Sequence, residues 1–325
     1  VQTLAQIKAM LDQRGLRPRH ALGQNFLIDK NLIIKLVEAA ELGPGELVLE
    51  VGPGTGALTE ALLERGVGVV ACELDRHLAE LLRERLSPPA EAGKSEATPG
   101  PFTLVEGDCL GPVRGGTGRT LCAPAVQALR QRGTPPGPFK LVANLPYGAA
   151  TPLMLSLLLD HPDCKLQAVT IQREVADRLL APPGSKDYGL LGVVAQSLAE
   201  VKLIARLPPE CFWPRPDVTS AMVLLRRRGT PLTSDGRGLA ELCQRLFSKR
   251  RKQLGAIVGR SVLGPGSARG TPWPAGIDER QRPEELSVAQ LEALRLALKD
   301  AGAQPGPDDH HGAIDDPPST DTLSA

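Results

Sequence analysis

Leu47-Val48-Leu49-Glu50-Val51-Gly52-Pro53-Gly54-Thr55-Gly56 decides the fold. Its first five residues form a nearly continuous apolar run, the pattern of a strand buried on both faces. The three glycines that follow let the backbone turn sharply and approach a ligand closely. Ala57 to Arg65 then reads as a helix. Outward from this unit the pattern repeats. Gly68–Leu74 reads as a strand and Arg76–Leu86 as a helix. Phe102–Glu106 is a third strand, and Phe139–Ala143 a fourth with a helix after Thr151. Leu166–Ile171 is a fifth, with a helix near Tyr188–Leu198, and Val201–Leu207 and Ser220–Arg226 complete seven. Strands alternating with helices predict an α/β fold with a doubly wound, mostly parallel sheet.

A chain of 325 residues exceeds one typical domain. After Arg228 the strand pattern stops, and Leu239–Arg251 and Ser287–Ala301 read as amphipathic helices. The expected division is a catalytic domain over 1–228, a helical basic domain over 229–301 and an acidic tail over 302–325, expected to be disordered. The 34 glycines and 30 prolines concentrate partly in two stretches, near 87–101 and 111–138. Both are expected as mostly disordered insertions, save a short helix at Ala125–Arg132.

The net charge of +1 speaks against a uniformly basic nucleic-acid binder, yet its distribution is uneven. Residues 1–35 carry net +4, 36–201 net −6, 202–282 net +10 and 283–325 net −7. Such asymmetry suits a polyanion partner; a solvated basic face is the plain alternative. The six cysteines form no CxxC pair and fit no zinc spacing, so reduced thiols and no metal are expected. No apolar run approaches the roughly 18 residues of a membrane span, and the N-terminus lacks a secretory leader's apolar segment. A cytoplasmic protein is expected.

Four groups carry candidate chemistry, each at the end of a strand. Gly52 to Gly56 lacks the Gly-Lys-Ser/Thr of a phosphate loop and the G-x-G-x-x-G dinucleotide fingerprint; it suits a nucleoside cofactor without a diphosphate. Glu73, in Glu73-Leu74-Asp75, stands where a carboxylate accepts from ribose hydroxyls, while Asp75 also suits a helix N-terminus. Asp108, after Gly107, can accept from an adenine amine. Asn144-Leu145-Pro146-Tyr147 offers an amide acceptor, a fixed backbone and a flat ring for stacking on a base.

These groups resemble the motifs of the S-adenosylmethionine-dependent rRNA adenine N6-dimethyltransferases. Gly23-Gln24-Asn25-Phe26-Leu27, Lys186-Asp187-Tyr188-Gly189 and the run Phe212-Trp213-Pro214-Arg215-Pro216-Asp217-Val218-Thr219-Ser220 are similar to further family segments. Phe247-Ser248-Lys249-Arg250-Arg251-Lys252 looks like the basic helix of the bacterial small-subunit branch. The resemblance is collinear over about 17–300. It implies a Rossmann-like class I methyltransferase sheet with a small C-terminal α-helical domain. It also implies S-adenosyl-L-methionine as cofactor and, as substrate, two adjacent adenines near the 3′ end of 16S rRNA within the 30S subunit or its precursor.

By that resemblance Asn25, Leu27, Gly52, Gly54, Glu73, Asp108 and Asn144 hold the cofactor. Asn144 and a main-chain carbonyl at Leu145 or Pro146 accept from the target amine, Tyr147 stacks on the base, and Phe212 is a candidate for its other face. Arg226, Arg227 and Arg228, with Lys249, Arg250, Arg251 and Lys252, are the expected RNA contacts. His20 is expected to have no catalytic role, and the protein to act as a monomer. Three other readings compete: a resistance-type methyltransferase of 23S rRNA, a non-catalytic ribosome-assembly factor and a nicotinamide-dependent oxidoreductase.

Overall fold

The computed structural model describes residues 2–19, 22–86, 101–113, 118–132, 137–259 and 273–300. Residues 87–100, 302–325 and His20 lie outside them. The strands are β1 (Phe26–Leu27), β2 (Leu47–Val51), β3 (Gly68–Glu73), β4 (Phe102–Glu106), β5 (Leu110–Val113) and β6 (Arg119–Leu121). They continue with β7 (Phe139–Asn144), β8 (Cys164–Gln172), β9 (Ala199–Leu207), β10 (Phe212–Trp213) and β11 (Ser220–Arg227). Seven of them form one sheet in the order β4-β3-β2-β7-β8-β11-β9. Its first five strands run parallel; β11 alone is reversed, against β8 and β9.

Helices cover both faces: α1 (Leu4–Asp12), α2 (Lys30–Ala39), α3 (Ala57–Leu63), α4 (Arg76–Leu86), α5 (Ala123–Gln131) and α6 (Tyr147–Asp160), then α7 (Arg173–Leu180) and α8 (Leu190–Leu198). Side-chain alternation splits each central strand between two cores. Leu49, Val51, Val70, Leu141 and Ala143 face α5, α6 and α8. Val48, Val69, Ala71 and Val142 face α2 and α3. The seven-stranded, doubly wound sheet is therefore as the sequence predicts, and its apolar strand runs follow from burial on both faces. Beyond the sheet, α9 (Gly236–Phe247), α10 (Leu254–Ile257) and α11 (Val288–Asp300) pack around Leu239, Leu242, Leu291 and Leu294. That cluster also takes in Tyr188 and Val193.

Four local readings change. α6 starts a turn before the expected Thr151, at Tyr147 with Pro146 as N-cap. Pro152 inside it loses its bond to the Gly148 carbonyl, and Gly148 is exposed, so water can take that place. α7 is an added helix with Val175, Ala176 and Leu179 on its buried side; it follows β8 with no turn residue to announce it. Within 111–138, β5 and β6 pair as a hairpin, so part of this stretch is regular structure. α9 ends at Phe247 with Ser248 as its C-cap, which places Lys249 to Lys252 in the turn after the helix.

Among the described residues no helix is long and apolar enough to cross a membrane.

Candidate active site

The cleft opens at the C-terminal edge of β2, β3, β4 and β7, where open α/β sheets place their ligands. Asn25, Leu27, Gly52, Gly54, Glu73, Asp108, Asn144 and Pro146 all line it. The glycine turn is required by its crowding. Gly52 has φ +70°, and a Cβ there would sit 3.0 Å from the Pro146 ring. Gly54 has φ +60°, and its Cβ would lie 2.8 Å from Phe26. Any larger residue would separate the turn from the two segments that close the cleft.

The N-terminal segment is tied to this edge at several points. β1 pairs with β10, matching Phe26 to Trp213 and Leu27 to Phe212. Trp213 stacks on Phe26 with ring centres 6.2 Å apart, and Lys8 Nζ lies 5.3 Å from the Trp213 ring centre. Gln24 Nε2 donates to Asp75 Oδ2 at 3.0 Å. Asp75 Oδ1 in turn accepts from the His77 amide at 3.0 Å, so this carboxylate caps the start of α4 while anchoring Gln24.

Glu73 is 5% exposed. Both its oxygens accept main-chain bonds, Oε2 from Gly54 N at 3.1 Å and Oε1 from Asp75 N at 2.8 Å. Burial pushes its pKa up to about 7, against the pull of those two donors. Glu50 lies deeper. Thr59 Oγ1 donates to it at 2.7 Å, and burial, with Glu73 adding repulsion, raises it to about 8. At neutral pH Glu50 is therefore mostly a neutral acid.

Asp108 holds one oxygen on Leu110 N at 2.9 Å and the other on Arg119. The cleft lining thus offers carboxylates and amides and, among the described residues, no lysine or arginine. Such a set suits a ligand with hydroxyls, an amine and a positive charge. A diphosphate would meet repulsion, which disfavours a nicotinamide dinucleotide.

Asn144 closes β7. Its Nδ2 donates to the Asn25 carbonyl at 2.9 Å. A carbonyl can only accept, so the amide nitrogen must face Asn25, leaving Oδ1 as the acceptor for a ligand. Pro146, the N-cap of α6, has its carbonyl engaged by Ala149 N at 3.0 Å. The Leu145 carbonyl takes no hydrogen bond among the described residues, while Leu145 N is pinned to Thr170 O at 3.0 Å. Of the two main-chain acceptors left open by the sequence, Leu145 is the available one. Tyr147 is half-buried and shares a 2.9 Å hydrogen bond with Ser220 Oγ. Burial raises its pKa, keeping the phenol neutral.

Phe212 does not present a ring to the cleft. It is 3% exposed and packs within the core that contains Leu27 and Ile33. Successive strand residues point to opposite sides, so the short β10 turns Phe212 inward and leaves Trp213 partly exposed.

The expected basic contacts separate into two groups. Arg226 and Arg227 end β11 and Arg228 follows it, and Arg226 pairs in register with Leu166, while Ser220 pairs with Gln172. They therefore lie at the sheet edge opposite Asn144, about 20 Å along the strand from Ser220. Arg227 is committed internally, with donors on the carbonyls of Cys164, Leu157, Leu158 and His161 at 2.9–3.2 Å. It caps the C-terminal end of α6, and those carbonyls take up its donors. Arg226 pairs with Glu41, and Arg228 bonds Gln196 O at 3.0 Å. In the turn after α9, Arg250 reaches Glu284 and the Lys186 carbonyl at 2.7 and 2.8 Å. Lys249, Arg251 and Lys252 are exposed.

Gln24, Glu50, Arg119 and Ser220 shape the cleft or its edge without appearing among the expected site residues. Gln24 and Glu50 stood within recognised segments, a signal that was available. Ser220 also closes a recognised segment, although only folding brings it to Tyr147; Arg119 carries no such signal, because only folding brings it to Asp108.

The family model described as "Ribosomal RNA adenine dimethylase" matches residues 15–294. A ribosomal RNA small subunit methyltransferase A of Kineococcus radiotolerans is 38% identical over 299 residues, covering 92% of this chain and 91% of that protein. Among solved structures, the 23S rRNA methyltransferase ErmE is 26% identical, covers 85% of this chain and 100% of its own, and superposes with a TM-score of 0.57. A dimethyladenosine transferase from Plasmodium falciparum gives a TM-score of 0.65 at 22% identity, covering 86% of this chain and 98% of its own, and shares the fold. With its motifs drawn to one sheet edge and a match along nearly its whole described length, this chain is a member of the ribosomal RNA adenine dimethylase family.

Proposed function

We propose that the protein uses S-adenosyl-L-methionine to dimethylate N6 of two adjacent adenines near the 3′ end of 16S rRNA, on the cytoplasmic 30S subunit or its precursor. The observation that carries this reading is the Asn144 side chain. Its nitrogen is spent on Asn25 O and its oxygen is left to accept, beside the Leu145 carbonyl. Two acceptors on an exocyclic amine draw its lone pair out of conjugation with the ring and aim it at an electrophile. S-Adenosylmethionine supplies that electrophile as a sulfonium-bound methyl group. Asn144 and Leu145 orient the amine, and Tyr147, locked to Ser220, offers a ring for the base to stack on once it leaves its helix. Such positioning is the main source of rate in this scheme, and it needs no strongly basic side chain, since the amine proton can leave after methyl transfer.

On the cofactor side, Glu73 would hold the ribose hydroxyls and Asp108 the adenine amine, while Gly52 and Gly54 let the backbone come close. The acceptor-rich lining, without lysine or arginine among the described residues, supports this fit. The division into a catalytic domain over 1–228 and a helical RNA-binding domain over 229–301, acting as a monomer, belongs to the same proposal.

The deciding experiment incubates the protein with labelled cofactor and undermethylated 30S or 50S particles, then maps the modified base. Label at two neighbouring adenines of 16S rRNA is expected. Label in 23S rRNA would favour the ErmE-like alternative, and no label on either particle would favour a binding factor without catalysis.

Neutralising Arg251 and Lys252 to Gln should weaken binding to the 30S particle and flatten its salt dependence by about one to two units of log–log slope. Arg227→Gln should instead lower the melting temperature and leave the slope unchanged. A salt slope unaltered by the first pair would remove them from the RNA interface.

A further inference from the structure

Asp108 is not a free carboxylate on a flexible loop. The β5–β6 hairpin folds directly behind it, and Arg119, the first residue of β6, reaches back across the hairpin. Its Nη2 donates to Leu110 O at 2.8 Å and its Nε to Gly111 O at 3.1 Å. The same Nη2 pairs with Asp108 Oδ2. The other Asp108 oxygen accepts from Leu110 N at 2.9 Å.

Two carbonyls therefore fix the plane of the guanidinium, and the guanidinium with Leu110 N fixes the plane of the carboxylate. Both side chains are about 40% exposed. An ion pair so open to water contributes little to folding, and its consequence is orientation. A carboxylate has about four lone-pair directions. Arg119 and Leu110 occupy one on each oxygen, and the remainder stay available on the side where Asp108 lines the cleft.

We propose that Arg119 is a positioning residue that holds Asp108 as an oriented acceptor and so makes the cleft selective for a 6-amino purine over a 6-oxo purine. This inference rests on the reading of the cleft as an adenosyl pocket. A fixed carboxylate welcomes the amine of adenine and repels the carbonyl oxygen of hypoxanthine. A carboxylate free to rotate can turn away from the carbonyl, and much of the discrimination goes with it.

The test measures binding of S-adenosyl-L-homocysteine and its deaminated analogue S-inosyl-L-homocysteine to the full chain and to Arg119→Gln and Arg119→Lys variants, by calorimetry. The unaltered protein should prefer the adenosyl compound. Arg119→Gln should weaken adenosyl binding roughly five- to tenfold and reduce the adenosyl-to-inosyl ratio by a similar factor. Arg119→Lys, which keeps the charge but not the planar anchorage, should recover part of the ratio. In methylation assays the KM for the cofactor should rise more than the rate at saturating cofactor falls.

An unchanged ratio in Arg119→Gln overturns the role of Arg119 and leaves the pocket reading standing. Equal loss of both ligands with a lower melting temperature also overturns it, by showing a merely structural hairpin. If the unaltered protein binds neither compound, the adenosyl reading fails and this inference with it.

Discussion

Asn144→Ala is expected to lower methylation of 30S particles by roughly 10²–10³-fold, the usual cost of removing one preorganised hydrogen-bonding group at a reacting centre. Binding of S-adenosylhomocysteine should change only a few-fold, because Glu73, Asp108 and the glycine turn remain. The substitution removes both the acceptor offered to the target amine and the tie to Asn25 O. Asn144→Asp separates these effects. It keeps an acceptor but sets a carboxylate against the Asn25 carbonyl, so it too should be slow. Near-normal turnover in Asn144→Ala would end the assignment of Asn144 to the target amine, whatever its effect on the cofactor.

Glu73→Ala should weaken S-adenosylhomocysteine binding by roughly 10²-fold, from the loss of charged hydrogen bonds worth about 1.5–3 kcal/mol each. It also strands the Gly54 and Asp75 amides that the carboxylate accepts from. Glu73→Gln is no conservative change here. Both oxygens face main-chain N–H groups, and an amide would oppose one of them with its own NH2.

The pH dependence follows from burial. With its pKa raised from 4.5 to about 7, Glu73 becomes a full carboxylate only above neutrality, so ligand affinity should rise between about pH 6 and 8, and Glu73→Gln should lose most of that rise, leaving what Glu50 contributes near pH 8. The folded protein holds this proton more tightly than the unfolded chain. The stability Glu73 contributes is thus fully present below about pH 4.5 and is lost as pH rises through about 7. Calorimetric titrations at several pH values check the first claim and thermal melts the second. An affinity independent of pH across that window would remove Glu73 from the ribose contact.

Much of this was legible before folding. β2 and β4 lie at the residues where hydropathy placed them, and α4 spans the predicted Arg76–Leu86. The residues expected to hold the cofactor, at 25, 27, 52, 54, 73, 108 and 144, meet in one cleft. Those at 52, 54, 73, 108 and 144 were readable because each stands at or just after a strand end, and strand ends of a parallel sheet meet at one edge; Asn25 and Leu27, beside the separate β1–β10 pair, came from the family resemblance. Charge patterning misled where composition stood in for geometry. Arg226-Arg227-Arg228 reads as a basic cluster, yet Arg227 spends its donors on four carbonyls. Lys249 to Lys252 reads as helical, yet α9 has ended by then. Phe212 reads as an available aromatic, yet strand pairing turns it inward.

The sequence by itself determined the order along the chain of the seven sheet strands, the position of the glycine turn and the residues at the ends of β2, β3, β4 and β7. These depend on periodicity and backbone preference over a few neighbouring residues. Tertiary structure alone decided which atom Asn144 offers, because its partner Asn25 is 119 residues away. It also decided the raised pKa values of Glu73 and Glu50, which arise from burial, and the pairing of Arg119 with Asp108, which requires a hairpin to fold back. Hydrogen-bond direction, desolvation and charge pairing are properties of groups brought together from distant parts of the chain, and local pattern carries no record of them.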